Sequence, residues 1–145
     1  MSATISATIE IAAPPERVWA VLTDLASYPR WNPVFREASG QVAVGNRLSF
    51  TSTQPVTGHT LKVKVTVAAV EPATELRWTS SLLGMTISRR SFTLSPADGG
   101  TQLTQTGIYS QGFFSRFSPK TIGRIQVSFE TINQALKKRA ERTAA

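Results

Sequence analysis

Arg89 and Arg90 stand side by side in Met85–Ser95, a stretch whose alternation reads as a β-strand, and consecutive strand residues face opposite ways. One guanidinium must therefore look inward unless the strand bulges. If Phe92 and Leu94 set the inner face it is Arg90, and if Met85 and Ile87 do it is Arg89. A buried guanidinium needs a partner, because leaving it unpaired costs several kcal/mol. The candidates are an internal carboxylate, Glu130 or Glu37, and the acid group of a ligand. On the next strand Gln105 and Tyr109 share a face with Leu103, and their amide and phenol suit polarisation of a carbonyl. His59 is the only histidine. Its ordinary pKa of ~6.5 fits proton transfer, but no acid adjoins it in sequence, and a solvated loop histidine is the plainer reading. With one histidine and no cysteine, a typical transition-metal site cannot be assembled, and no organic cofactor is implied.

These groups need a scaffold, and the last stretch of the chain supplies its axis. Ile122, Ile125, Phe129, Ile132 and Leu136 recur at steps of three and four, forming one apolar stripe on a helix from Ser118 to Arg142. Ser118 suits the N-cap, Pro119 the first helical position, and the closing bases Lys137, Lys138, Arg139 and Arg142 the negative end of the dipole. Upstream, Thr4–Ile11 alternates as a half-buried strand. Pro14 and Pro15 open a short helix over Glu16–Thr23, and Leu25–Trp31 is at best a second one before Pro33. Six further strands follow as a meander, over Val34–Val42, Arg47–Thr53, Thr60–Glu71, Glu75–Leu82, Met85–Ser95 and Thr101–Ser110. The expectation is an α+β fold in which an antiparallel sheet wraps one long helix.

Alternation turns Phe50, Trp78, Phe92, Leu103 and Tyr109 inward, to meet Ile125 and Phe129 of the helix. They read as core or as the lining of a cavity between sheet and helix. Trp31, in the aromatic connection Tyr28–Pro33, is either packing or pocket wall. Parity of the meander gathers Gln54–His59, the Leu82-Leu83-Gly84 corner and Gln111–Phe117 at one end. Phe113, Phe114 and Phe117 there fit either the mouth of a ligand cavity or a staple holding the helix to the sheet.

A chain of 145 residues has room for one domain, 1–145, with a substantial core. The N-terminal residues lack a basic and apolar leader pattern and no long apolar run occurs, so a soluble cytoplasmic protein is expected. The formal charge is +7, of which the terminal helix holds +4 (six bases against Glu130 and Glu141). No basic run is interleaved with exposed aromatics, which argues against nucleic acid; contact with an acidic membrane through the basic helix is allowed but not favoured. No phosphate-binding glycine loop, zinc spacing or nucleophile elbow is present.

Val18-Trp19, the Tyr28–Pro33 run, Gly45-Asn46-Arg47-Leu48, Leu76-Arg77-Trp78, Phe92–Pro96 and Gly99–Thr104 together resemble, in order, the polyketide cyclase/dehydrase-like branch of the START-like (SRPBCC) superfamily. The resemblance spans nearly the whole chain. It implies the helix-grip fold, a curved seven-stranded antiparallel sheet around a long C-terminal helix, with two short helices between strands one and two. It also implies a hydrophobic ligand such as a lipid or polyketide; only some members catalyse a reaction, so fold constrains function loosely. Where relatives often carry histidine this chain has Arg90, and where they carry an acid it has Gly107, a change expected to weaken acid/base chemistry and leave room for a ligand. Binding of a hydrophobic small molecule, with or without an acid group, is thus favoured, with Trp31, Phe50, Trp78, Arg90, Phe92, Gln105, Tyr109, Phe113, Phe114 and Phe129 as the ligand-contacting set. The alternatives are a cyclase or dehydratase using Arg90, Tyr109 and His59, and delivery of a lipid or quinone at an acidic membrane. The oligomeric state is left open.

Overall fold

A computed structural model describes residues 2–143, with side chains described for residues 3–142. Strand β1 (Ser2–Ile11) is followed by helix α1 (Pro15–Thr23), a single 3₁₀ turn (Leu25–Ser27) and a four-residue helix α2 (Tyr28–Trp31). Then come β2 (Phe35–Ser39), β3 (Arg47–Thr53), β4 (Thr60–Glu71), β5 (Glu75–Leu82), β6 (Met85–Ala97), β7 (Gly100–Ser110), a short helix α3 (Gln111–Phe114) and the long helix α4 (Pro119–Thr143). The expected α+β helix-grip architecture is the one observed. Bounds predicted for β3, β4 and β5 match because their strand-forming stretches end at turn formers, although β4 carries a bulge. β2 stops short of the expected Val42, since Gly40 turns the chain at φ +116. Leu25–Trp31 does not form one helix. The 3₁₀ turn ends at Ser27 (ψ −6), and a new helix starts at Tyr28 with Pro29 in its first turn.

All seven strands form one antiparallel sheet in the order β1-β7-β6-β5-β4-β3-β2. Register shifts at Phe35/Glu37, Val67/Ala69 and Ser80/Ser81 insert extra residues, which bend and twist the strands that carry them. At the closed end Gly100 comes so near β1 that a Cβ there would meet the Ile11 carbonyl oxygen at 2.2 Å. Only glycine permits that approach. Pairing of β4 with β5 ends at Thr66↔Thr79, although β3–β4 pairing continues to Thr53↔Thr60 and β5–β6 pairing to Leu82↔Met85. The sheet is therefore split between β4 and β5 over its outer half.

Helix α4 lies in the concave face. Ser118 Oγ accepts from the Thr121 N–H at 3.1 Å, the N-cap its sequence position suggested. Ile132, Leu136 and Ala140 join Val18, Leu22, Leu48, Leu76 and Leu103 in the main core, Phe129 is buried against Arg90 and Gly107, and Ile122 and Ile125, nearer the open end, are half-buried. A second row on the same helix closes the exposed edge of β1. Gln126 Nε2 donates to Ser6 O (3.0 Å), Asn133 Nδ2 to Ala7 O (3.1 Å) and Lys137 Nζ to Glu10 O (2.8 Å), while Glu141 accepts from the Ala12 N–H (2.8 Å). A bare edge strand would leave these groups as a template for strand addition.

Candidate functional site

Arg90, not Arg89, faces inward. The extra residue that shifts the register from Ser80↔Ser88 to Ser81↔Thr86 breaks the parity of Met85 with the rest of β6, so Phe92 and Leu94 set the inner face and Arg89 is exposed. The stem of Arg90 is partly exposed, but its head enters the core. Its Cζ lies 4.0 Å from the ring centre of Phe129, 5.0 Å from Phe35 and 5.7 Å from Phe92. Nη2 donates to Gln105 Oε1 at 2.7 Å, and Nε is buried with no hydrogen-bond partner. Neither of the internal carboxylates considered as its partner reaches it. Glu130 is exposed and accepts from Gln126 at 3.3 Å, and Glu37 is exposed on the opposite face of the sheet from Phe50. The ion pairs seen among the described residues, Arg77 with Glu75 and Lys137 with Glu141, do not involve Arg90. Three ring faces and one amide oxygen thus stabilise the cation where a carboxylate was expected.

Gln105 is fully buried and its amide is committed to the fold. Oε1 accepts from Arg90, and Nε2 donates to Phe129 O at 2.9 Å and Asn133 Oδ1 at 2.6 Å. Asn133 in turn holds Ala7 O on β1. The expectation that Gln105 contacts a ligand is corrected on this ground: it orients Arg90 from behind. Gly107 lies opposite Arg90 across the β6–β7 ladder, and it does not leave ligand space. A Cβ there would meet Phe129 Cζ at 2.8 Å, so the ring of α4 occupies the gap. Burial pulls the Arg90 guanidinium below its ordinary value, to about 10, with the Tyr109 and Tyr28 phenols acting the other way, and it remains charged at neutral pH. Burial pushes the Tyr109 phenol upward and Arg90 partly offsets this, which favours Tyr109 as a hydrogen-bond donor over a base.

Beside Arg90, beneath the split between β4 and β5, lies a cavity of about 160 Å³. Phe35, Phe50, Trp78, Val63 and Val65 form its apolar walls, and Ser52, Ser80, Ser88 and Tyr109 bring hydroxyls to it. The cavity is small because most of the interior is filled by a chain of rings, with Phe50 5.2 Å from Trp78 and Trp78 5.2 Å from Phe92. Of the proposed contact set, Phe50, Trp78, Arg90 and Tyr109 line the cavity. Phe92 and Phe129 lie under the guanidinium. Phe113 and Phe114 do not reach it. Phe114 packs on Tyr109 at 5.9 Å, and Phe113 on Phe117 at 5.0 Å, itself 6.1 Å from Tyr109. They staple the turn before α4 to the sheet behind the cavity wall. Trp31 is elsewhere, edge-on to Tyr28 and flanked by Arg139 and Arg142 near the end of α4. His59 is exposed in the β3–β4 turn, where its backbone N–H donates to Thr57 Oγ1. Sequence reading missed Phe35, Asn133 and the serines. Ser52 and Ser80 stand two residues beyond Phe50 and Trp78, so the same alternation that turned the rings inward pointed to them.

A wider depression of about 750 Å³ runs between β1 and α4. Gln126 and Asn133 on its wall are already engaged in closing the strand edge, and it lacks the ring-lined walls of the smaller site.

The family described as polyketide cyclase/dehydrase and lipid transport matches residues 2–141. The chain belongs to this family. A comparison with curated proteins finds no match. Among solved structures the chain is similar to MLL2253 of Mesorhizobium loti (24% identity, TM-score 0.74, covering 99% of this chain and 100% of that one). TTHA0849 of Thermus thermophilus superposes with TM-score 0.77 at 16% identity, over 99% and 100% of the two chains. DynU16, from the dynemicin biosynthetic locus, gives TM-score 0.75 at 18% identity over 97% of this chain and 48% of its own. At such identities these likenesses speak to the fold alone.

Proposed function

We propose that the protein binds a hydrophobic small molecule bearing an acid group, with the acid against Arg90 and a ring or short apolar body in the adjoining cavity. The observation that carries this reading is a buried guanidinium that has aromatic rings around it, no carboxylate partner and an unused Nε, at the side of a cavity ringed by hydroxyls. An incoming carboxylate would supply the charge-assisted bonds that the fold itself leaves unmade. The volume suits one aromatic ring, since an apolar cavity of ~150 Å³ accepts benzene. A longer body would leave through the gap between β4 and β5. Membership of a family described by polyketide chemistry and lipid transport agrees with a hydrophobic guest.

Among the described residues neither a carboxylate nor an imidazole lines the cavity, which favours binding over the cyclase reading. The deciding experiment titrates wild type and Arg90→Met with a single-ring aromatic acid and with its amide, by calorimetry. The acid should prefer wild type by roughly tenfold to a hundredfold, the ratio expected for one charge-assisted contact, while the amide is indifferent. Equal loss of both ligands would sink the reading.

A further inference from the structure

The net charge of this protein is confined to one end. The half that holds the β3–β4 and β5–β6 turns and the entry to α4 comprises residues 2–5, 34–37, 51–65, 78–90 and 107–127. It contains eight of the sixteen basic residues and one of the nine acidic ones, Glu37. The other half holds eight of each, so the whole +7 resides at the split end of the sheet.

The same end carries the apolar surface. Of the seven exposed large hydrophobic residues among those described, six lie in this half, Val44 being the exception. Three of them, Leu82, Leu83 and Met85, form the tip of the β5–β6 hairpin, at 54%, 95% and 72% exposure. Leu83 adopts φ +52, a left-handed conformation that a leucine enters only at a cost, and its side chain meets nothing in return. Leu61 has the inward parity of Val63 and Val65 but is 68% exposed, because β5 has parted from β4 at that level. Arg116, in the turn before α4, and Lys120, in its first turn, are exposed at the same end.

We infer that this end docks on an anionic lipid bilayer. The aliphatic tip enters the boundary between headgroups and acyl chains, and the surrounding bases meet lipid phosphates. Charge complementarity selects this occupant, since a pole with eight bases to one acid and an apolar tip fits an acidic interface. Aliphatic tips offer no stacking platform for nucleobases, which disfavours single-stranded nucleic acid. The docking face is thus the opposite end of α4 from the Lys137–Arg142 cluster, the part of the helix where the sequence concentrates its bases. Docking here brings the gap between β4 and β5 to the lipid, a path for a hydrophobic guest that never crosses water.

Flotation with vesicles of phosphatidylcholine, alone or with phosphatidylglycerol as about a third of the lipid, tests this directly. Wild type should float with the anionic vesicles only and be released at about 0.5 M salt. Leu83→Asp should weaken partitioning about tenfold while leaving the melting temperature unchanged or higher, because aspartate tolerates the left-handed turn better than leucine. Arg116→Glu with Lys120→Glu should do the same by charge, and Lys138→Glu with Arg142→Glu should leave partitioning intact. Equal binding to neutral vesicles, or loss only in the Lys138/Arg142 variant, or preference for an oligonucleotide over vesicles, overturns the inference. Affinity for the aromatic acid in solution is measured in parallel. It should not change in Leu83→Asp, so failure of docking and failure of the Arg90 reading are told apart.

Discussion

The Arg90 guanidinium sits 4.0 Å from the centre of the Phe129 ring, so a strand cation and a helix aromatic meet at the point where the sheet grips α4. Phe129 is buried on all sides, and its own carbonyl receives Gln105 from β7. Grip and site are therefore the same contacts.

Truncation of that ring should be expensive. Phe129→Ala is expected to cost ~3–5 kcal/mol, the usual range for a buried aromatic, while the exposed Lys138→Ala changes stability by less than ~0.5 kcal/mol. Urea unfolding of the two variants measures the contrast.

Gln105→Leu should destabilise by ~2–4 kcal/mol, because it strips the acceptor from a buried cation and the donor from Asn133 and the Phe129 carbonyl at once. Arg90→Met should lie within ~1 kcal/mol of wild type, since relief of a desolvated charge offsets one orphaned oxygen on Gln105. A large loss in Arg90→Met would mean that a partner for the cation exists which the present geometry does not hold.

Gly107→Ala tests the tightness of the same spot. Its Cβ would lie 2.8 Å from Phe129 Cζ, and the ring cannot retreat into a packed core. A loss of ~1–3 kcal/mol is expected from overpacking, with partial rescue by Phe129→Leu in a double-mutant cycle.

Acid should loosen the junction of β1 and α4. The Ala12 N–H, and then Lys137, hold the Glu141 carboxyl below its usual 4.5. Its contribution to stability is present above that ordinary value and lost as pH falls through the lowered one. Glu141→Gln should be less stable than wild type at neutral pH and converge with it toward pH ~2, as thermal melts across pH will report.

The sequence made the scaffold readable because its cues are local. Period-two alternation in β3 to β5 and the three-four stepping of Ile122 to Leu136 depend on residues a few positions apart. The site was readable only in its chemistry. That one of Arg89 and Arg90 enters the core followed from strand parity, whereas the choice of Arg90 depends on the bulge opposite Ser80/Ser81, and its surroundings on the ring of Phe129 filling the gap above Gly107, a meeting across twenty-two positions that no pattern encodes. Asn133 was visible in principle. It stands four residues after Phe129, on the edge of the buried stripe, and its polarity there was the signal of a hydrogen-bonded partner. Trp31 misled because aromatic richness in a connection says that something is covered without saying what.

The split between β4 and β5 bears on how a guest would enter. β4 stays paired to β3, and β5 to β6, up to their outer ends, yet the two hairpins share no ladder beyond Thr66↔Thr79. They can spread like the fingers of a hand joined at the palm, pivoting about the bulge at Val67/Ala69, with no backbone hydrogen bond to break first. Admission then becomes a question of elastic bending and of side chains turning aside, so entry should be governed by the stiffness of two ribbons and not by local unfolding.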